Sequence, residues 1–260
     1  GDTAMKESIY TIPLMDAFRS EDECPFCFLE RQIEEHSIDF VLGSGASYME
    51  DDIRAQTDAA GFCRHHYKKL YDYGNRLGAA LILSTHFHKL NATLDAEIKK
   101  FTPGKNSLIK RFKKSSSEDT PSTSIGQWVQ NQTSHCYICD HICSDYQRYL
   151  DTFFELYKKE PSFKKLFEES KGFCLTHFGD LADLADSKLG NKEKDAFFPA
   201  LFQLMQENLK RLENEVLWFT EKYDYRNRDK DWGTSRDSIQ RCMQKDRGGH
   251  PADPPYESDR

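Results

Sequence analysis

The sequence predicts an all-α protein, a helical bundle built from two duplicated helical units, each closed by a Cys3His metal site. Three observations predict it. No useful stretch alternates with period 2, whereas apolar residues recur at steps of three and four. The 9 prolines and 14 glycines cluster between those stripes, as helix punctuation does. One pattern also occurs twice. Cys24-Pro25-Phe26-Cys27 precedes Gly61-Phe62-Cys63-Arg64-His65-His66, and Cys136-Tyr137-Ile138-Cys139 precedes Gly172-Phe173-Cys174-Leu175-Thr176-His177.

Taken in order, the first unit covers residues 1–101. A helix starts at the first Cys-x2-Cys and continues through Glu30, Arg31, Ile33 and Glu34. A second helix runs from about Cys63 to Phe101. Pro103-Gly104 stops it and opens a linker, 102–126, with a basic stretch from Lys105 to Lys114 and a Ser/Thr-rich stretch after it. The second unit covers 127–225. A helix-breaking loop is expected at Gly190–Lys194. After it, Phe198, Phe202, Met205, Leu209, Leu212, Val216, Phe219 and Tyr223 recur at steps of four and three. Such a seam predicts one long helix with these residues in the bundle core. Residues 226–260 read as a capping segment and a disordered tail, with Ser235 placed to cap a short last helix.

The repeat extends beyond the cysteines. Leu94-Asp95-Ala96-Glu97-Ile98-Lys99-Lys100-Phe101 matches Leu212-Glu213-Asn214-Glu215-Val216-Leu217-Trp218-Phe219 at an offset of 118. The cysteine motifs match at offsets of 112 and 111. A whole helical unit therefore reads as duplicated, with about seven residues added late in the second copy.

Three thiolates and one imidazole make a closed tetrahedral set for zinc. The metal candidates are Cys24, Cys27, Cys63 and His66 in the first unit, and Cys136, Cys139, Cys174 and His177 in the second. Register chooses His66 over its neighbour His65, because only His177 follows Cys174 at that spacing. His135 and His141 break the repeat. Cys143 competes for the second set, one turn after Cys139, and Cys242 stands alone; both read as ordinary thiols. Helix starts favour thiolate over thiol, and both motifs read as helix starts. Two structural zinc ions are the expected cofactors.

Composition bounds the function. A net charge of -7 argues against nucleic acid as a partner class. No apolar run reaches the roughly 18 residues a membrane span needs, and the first twelve residues lack a secretory pattern. These features, and cysteines grouped with histidines, predict a cytoplasmic metal-binding protein that acts through a partner or ligand. One alternative is a thiol-disulfide oxidoreductase using Cys24 and Cys27, although no βαβ pattern surrounds them. Another is an enzyme with its site near the Arg-rich end. There Tyr225, Arg226, Trp232, Arg236, Asp237 and Arg241 are candidate contacts for an unknown protein or a small anionic ligand. The simpler reading of that segment is a cap held by Arg–Asp pairs and a Trp anchor. No nucleophile–base pair or acidic dyad is visible.

With these motifs in hand, the chain resembles an uncharacterised bacterial family, domain of unknown function 6062. The resemblance rests on Cys24–Cys27, Gly61–His66, Cys136–Cys139, Gly172–His177, and Asp224–Asn227 with Arg236-Asp237. Tyr137 departs from the proline of the first motif. The resemblance implies no established activity.

Overall fold

A computed structural model describes residues 9–102, 121 and 123–249. Pro103, Gly104, the basic stretch, most of the Ser/Thr-rich stretch and residues 250–260 lie outside the described residues. Among the described residues there are eleven α-helices and no strand. They are α1 (Thr11–Arg19), α2 (Pro25–Leu42), α3 (Asp51–Ala60), α4 (Arg64–Tyr73), α5 (Arg76–Lys100), α6 (Ser124–Thr133), α7 (Tyr137–Lys159), α8 (Pro161–Glu169), α9 (Leu175–Lys188), α10 (Asn191–Glu221) and α11 (Ser238–Arg247).

The chain forms two compact units, one of residues 1–32 with 144–260 and the other of residues 33–143. Compactness thus divides the chain differently from the repeat. The halves at 1–101 and 127–225 each contribute to both units.

The first unit is organised around phenylalanines. Phe18, Phe26, Phe153, Phe163, Phe167, Phe173 and Phe197 are buried together. Their rings meet edge-on or stacked, as at Phe18–Phe163 (5.1 Å), Phe26–Phe173 (5.7 Å) and Phe167–Phe197 (5.6 Å). In this unit α1 packs on α8, and α10 packs on α8, α9 and α11. The second unit has a smaller core of Ile38, Val41, Leu42, Phe62, Leu70, Ile82, Tyr137 and Ile138. There α5 packs against α3, α4 and α6.

Several sequence expectations are corrected. The helix expected over 63–101 breaks at Gly74, and Asn75 restarts it by accepting a hydrogen bond from the Gly78 amide. The loop expected over 190–194 is shorter. Only Leu189 and Gly190 interrupt the helices, and Asn191–Lys194 form the first turn of α10, where the Glu193 carboxylate accepts from the Gly190 amide. Much of the extra length lies inside α9, which has 14 residues against 10 in α4.

The seam of α10 is only partly core. Its buried residues are Phe197, Leu201, Leu204, Met205 and Leu212, whereas Phe202 and Leu209 are exposed and Tyr223, also exposed, lies beyond the end of α10. Two apolar stripes overlap on this helix and share Met205 and Leu212. The stripe holding Phe197 won, because Phe197 meets Tyr157 at 5.0 Å in the aromatic core. Ser235 caps no helix: it is buried, its hydroxyl donates to the Trp232 carbonyl, and α11 begins at Ser238.

Candidate metal centres

All four cysteine motifs lie at helix starts. Cys24, Cys63, Cys136 and Cys174 immediately precede α2, α4, α7 and α9. Cys27, His66, Cys139 and His177 lie in the first turns of the same helices, three residues on and on the same face. Glycine opens each Gly-Phe-Cys motif because the backbone there takes a left-handed turn, with φ of +60° at Gly61 and +75° at Gly172. The phenylalanine that follows anchors each loop in its unit's core.

The ligands group crosswise. Cys24 and Cys27 meet Cys174 and His177, and Cys136 and Cys139 meet Cys63 and His66. This corrects the expectation that each half closes its own site. Long helices separate the motifs within each half. The first Cys-x2-Cys starts α2, whose 18 residues carry the chain about 27 Å away at about 1.5 Å per residue. The second starts α7, whose 23 residues carry it about 35 Å. Each Gly-Phe-Cys-x2-His meets the pair from the other half.

The donor atoms fit one ion per cluster. Around zinc, with metal–sulfur distances of about 2.3 Å and metal–nitrogen distances of about 2.0–2.1 Å, donors sit about 3.5–3.8 Å apart. In the first centre Nδ1 of His177 lies 3.2 Å from Cys24 Sγ, 3.6 Å from Cys27 Sγ and 3.2 Å from Cys174 Sγ. Cys27 and Cys174 Sγ are 3.7 Å apart. In the second, Nδ1 of His66 lies 3.3 Å from Cys63, 3.1 Å from Cys136 and 3.4 Å from Cys139, with 3.9 Å between Cys63 and Cys139 Sγ. Both clusters could hold a metal ion.

Each imidazole turns its other nitrogen to a carboxylate on α2. His177 Nε2 is 3.3 Å from Glu30 and His66 Nε2 is 3.0 Å from Glu34. Such partners fix the ring and make it a better ligand. Burial works against a charged His66, but the Cys136 thiolate and Glu34 prevail and hold its pKa up at about 10. Burial likewise works against an ionised Glu34, yet His66 and Lys69 bring it down to about 2. Sequence spacing alone did not single out Glu30 and Glu34 as partners; their place three and seven residues after Cys27 was the available signal.

The centres differ in their surroundings. Cys24, Cys27, Cys174 and His177 are all buried. In the other set Cys63 and Cys139 reach towards solvent. The first centre is also roofed by α11. Lys245, fully buried, donates from Nζ to the carbonyls of Glu23 (2.5 Å) and Lys171 (2.6 Å), just ahead of the two ligand loops. Glu23, also buried, accepts from Arg211 (2.6 Å) and Arg241 (3.2 Å). A Cβ added at Gly248 would lie 3.5 Å from Cys174 Sγ and 3.6 Å from Cys27 Sγ. In the second centre the loops are tied directly, by the Tyr137 amide donating to the Gly61 carbonyl (2.9 Å).

Of the remaining candidates, His65 is exposed and forms a third group of possible ligands with Glu34 and His66, its Nε2 3.2 Å from Glu34, whereas His135 pairs with Asp140 and His141 packs on Tyr137. Cys143 is exposed, and Cys242 is half-buried against the Leu212 carbonyl. Of the tail residues, Tyr225 and Arg236 are exposed, Arg226 pairs with Asp224, and Trp232 packs on Phe219. Asp237 and Arg241 pair with each other, and Arg241 joins the Glu23 network.

The family model of DUF6062, a family of unknown function, matches residues 5–253. The chain belongs to that family. It is also 24% identical over 211 residues to an "Uncharacterized 23.9 kDa protein in xynA 3'region" of Caldicellulosiruptor sp. (strain Rt8B.4), covering 80% of this chain and 85% of that protein. No solved structure matches the chain. No described helix is long and apolar enough to cross a membrane.

Proposed function

We propose that this family member is a cytoplasmic protein whose two Cys3His clusters hold structural zinc, and that it acts by binding a partner or ligand. The observation that carries this reading is the doubled geometry: four donors at tetrahedral spacing, twice, each histidine backed by a carboxylate. A closed set of four protein donors leaves no position for substrate, so the ions hold helix starts together rather than activate water. Thiolate ligands need a reducing compartment, which supports a cytoplasmic location. The four equivalent helix starts and the paired helix breaks after α4 and α9 support descent of the two halves from one unit.

Thiol-disulfide exchange fits less well. An exchanging thiolate must meet its partner's sulfur, and Cys24 and Cys27 are both 0% exposed. The test is metal analysis of protein purified under reducing conditions. Two zinc ions per chain are expected, with Cys143 the most reactive thiol. Metal-free protein with eight titratable thiols would overturn the reading.

A further inference from the structure

A groove of about 770 Å³ opens in the unit of residues 33–143, against the half-open centre. Its floor is the Phe62–Arg64 turn, including the ligand Cys63. One wall is a stripe of α5 with Leu83, His86 and Leu90, and the other is the face of α6 that carries Trp128. The volume lies within the range of small-molecule sites, and the walls are mainly apolar and aromatic, as such sites are.

Charge narrows the ligand. About one residue in six of the chain is acidic, 43 of 260, yet none of the fifteen residues lining the groove is. Acids that adjoin the lining are engaged: the Asp58 carboxylate accepts from Thr85 (2.7 Å), and Asp140 lies 3.5 Å from His135. Arg64 has no ion pair or hydrogen-bond partner for its guanidinium among the described residues, and it is exposed at the first position of α4. His86 supplies a second polar atom. Its Nδ1 donates to the Asp58 carbonyl (3.1 Å), which leaves Nε2 beside Gly61.

We propose that this groove binds an amphipathic monoanion, a carboxylate with an apolar chain or ring. The apolar body lies against Phe62, Leu83, Leu90 and Trp128, and the carboxylate pairs with Arg64. A single guanidinium suits one carboxylate and does not neutralise a polyphosphate. The proposal gives a ligand class to the binding role above, and it holds whichever metal occupies the centre.

The test titrates the full chain, its zinc content measured in the same preparation, with decanoate, decanol and decylamine by calorimetry and by tryptophan fluorescence, the Trp128 share being the signal lost in Trp128→Ala. One decanoate per chain is expected. Arg64→Glu is expected to weaken decanoate at least about tenfold, as loss of a charge-assisted hydrogen bond implies, and to leave decanol unchanged. Trp128→Ala, on a helix with no buried residue, weakens both ligands while circular dichroism stays native. Decylamine binding as tightly as decanoate, Arg64→Glu without effect, or no saturable decanoate binding would overturn the proposal. Decanoate binding to zinc-free protein supports the groove and counts against the zinc reading alone.

Discussion

The two centres share one ligand set and one construction, yet they sit in different environments. Both join a Cys-x2-Cys helix start to a Cys-x2-His helix start, and both back the histidine with a carboxylate from α2. The Cys24–His177 centre lies within an aromatic core, with the Tyr146 ring 5.0 Å and the Phe26 ring 5.7 Å from its histidine. Helix α11 closes over it. The Cys63–His66 centre has a smaller core on one side and solvent on the other. The difference teaches that ligand identity sets affinity for the ion, while the surrounding shell sets who can reach it. A buried thiolate is shielded from chelators and oxidants, and an exposed one is not.

Removing a ligand gives the largest contrast. Structural zinc contributes about 10–16 kcal/mol of apparent free energy in peptides, more than most domains have to spare at about 5–15 kcal/mol. Cys174→Ser is therefore expected to unfold the unit of residues 1–32 and 144–260, seen as loss of its cooperative melting transition. Cys139→Ser is expected to lose one ion and retain that transition. Equal loss in both variants would erase the contrast.

Next in size is the roof. Lys245→Met leaves Glu23 buried with fewer cations and releases two loop carbonyls. Breaking such a buried pair costs about 3–5 kcal/mol, measurable as a shift in the denaturant midpoint. The same variant should speed zinc loss from the buried centre. In the unaltered protein, release to a coloured chelator should show two phases. The fast phase should disappear in Cys139→Ser; a single phase would remove the distinction in access.

The half-open centre also carries a pH signature. An ion binding there must displace the proton that Cys136 and Glu34 hold on His66 up to about 10. Affinity therefore falls as pH drops below that value, and acid releases the ion. Glu34→Gln lets the ring lose its proton at lower pH, and it also loosens the ligand, by about 10–100-fold in affinity at high pH. Chelator competition across pH reads both effects. At the small end, Tyr225→Ala and Arg236→Ala alter exposed residues far in sequence from either ligand set. Both are expected to leave melting temperature and zinc content unchanged.

Much of the site was legible because its signals are local. Cys-x2-Cys and Cys-x2-His each place two donors on one face of a helix start, so spacing alone nominated eight ligands. The repeat also chose His66 over His65, and the structure puts His66 Nδ1 among the sulfurs. Glu23 and Lys245 were not legible. They lie 222 residues apart in sequence, and nothing in either neighbourhood announces the other. The α10 seam failed for a related reason. Two stripes of similar apolarity overlap, and only the position of Tyr157 and its neighbouring rings decided which one turned inward.

By itself the sequence determined an all-helical chain, nominated eight candidate donors and placed them at helix starts. Periodicity and i, i+3 spacing are properties of the chain within one or two turns, so they can be read without knowing where the chain goes next. Only the tertiary structure decided which half supplies which donors, which centre is sealed and which is open. Those outcomes depend on contacts between residues far apart in the chain, such as Cys27 with Cys174 and Lys245 with Glu23, and periodicity within a few turns does not encode them.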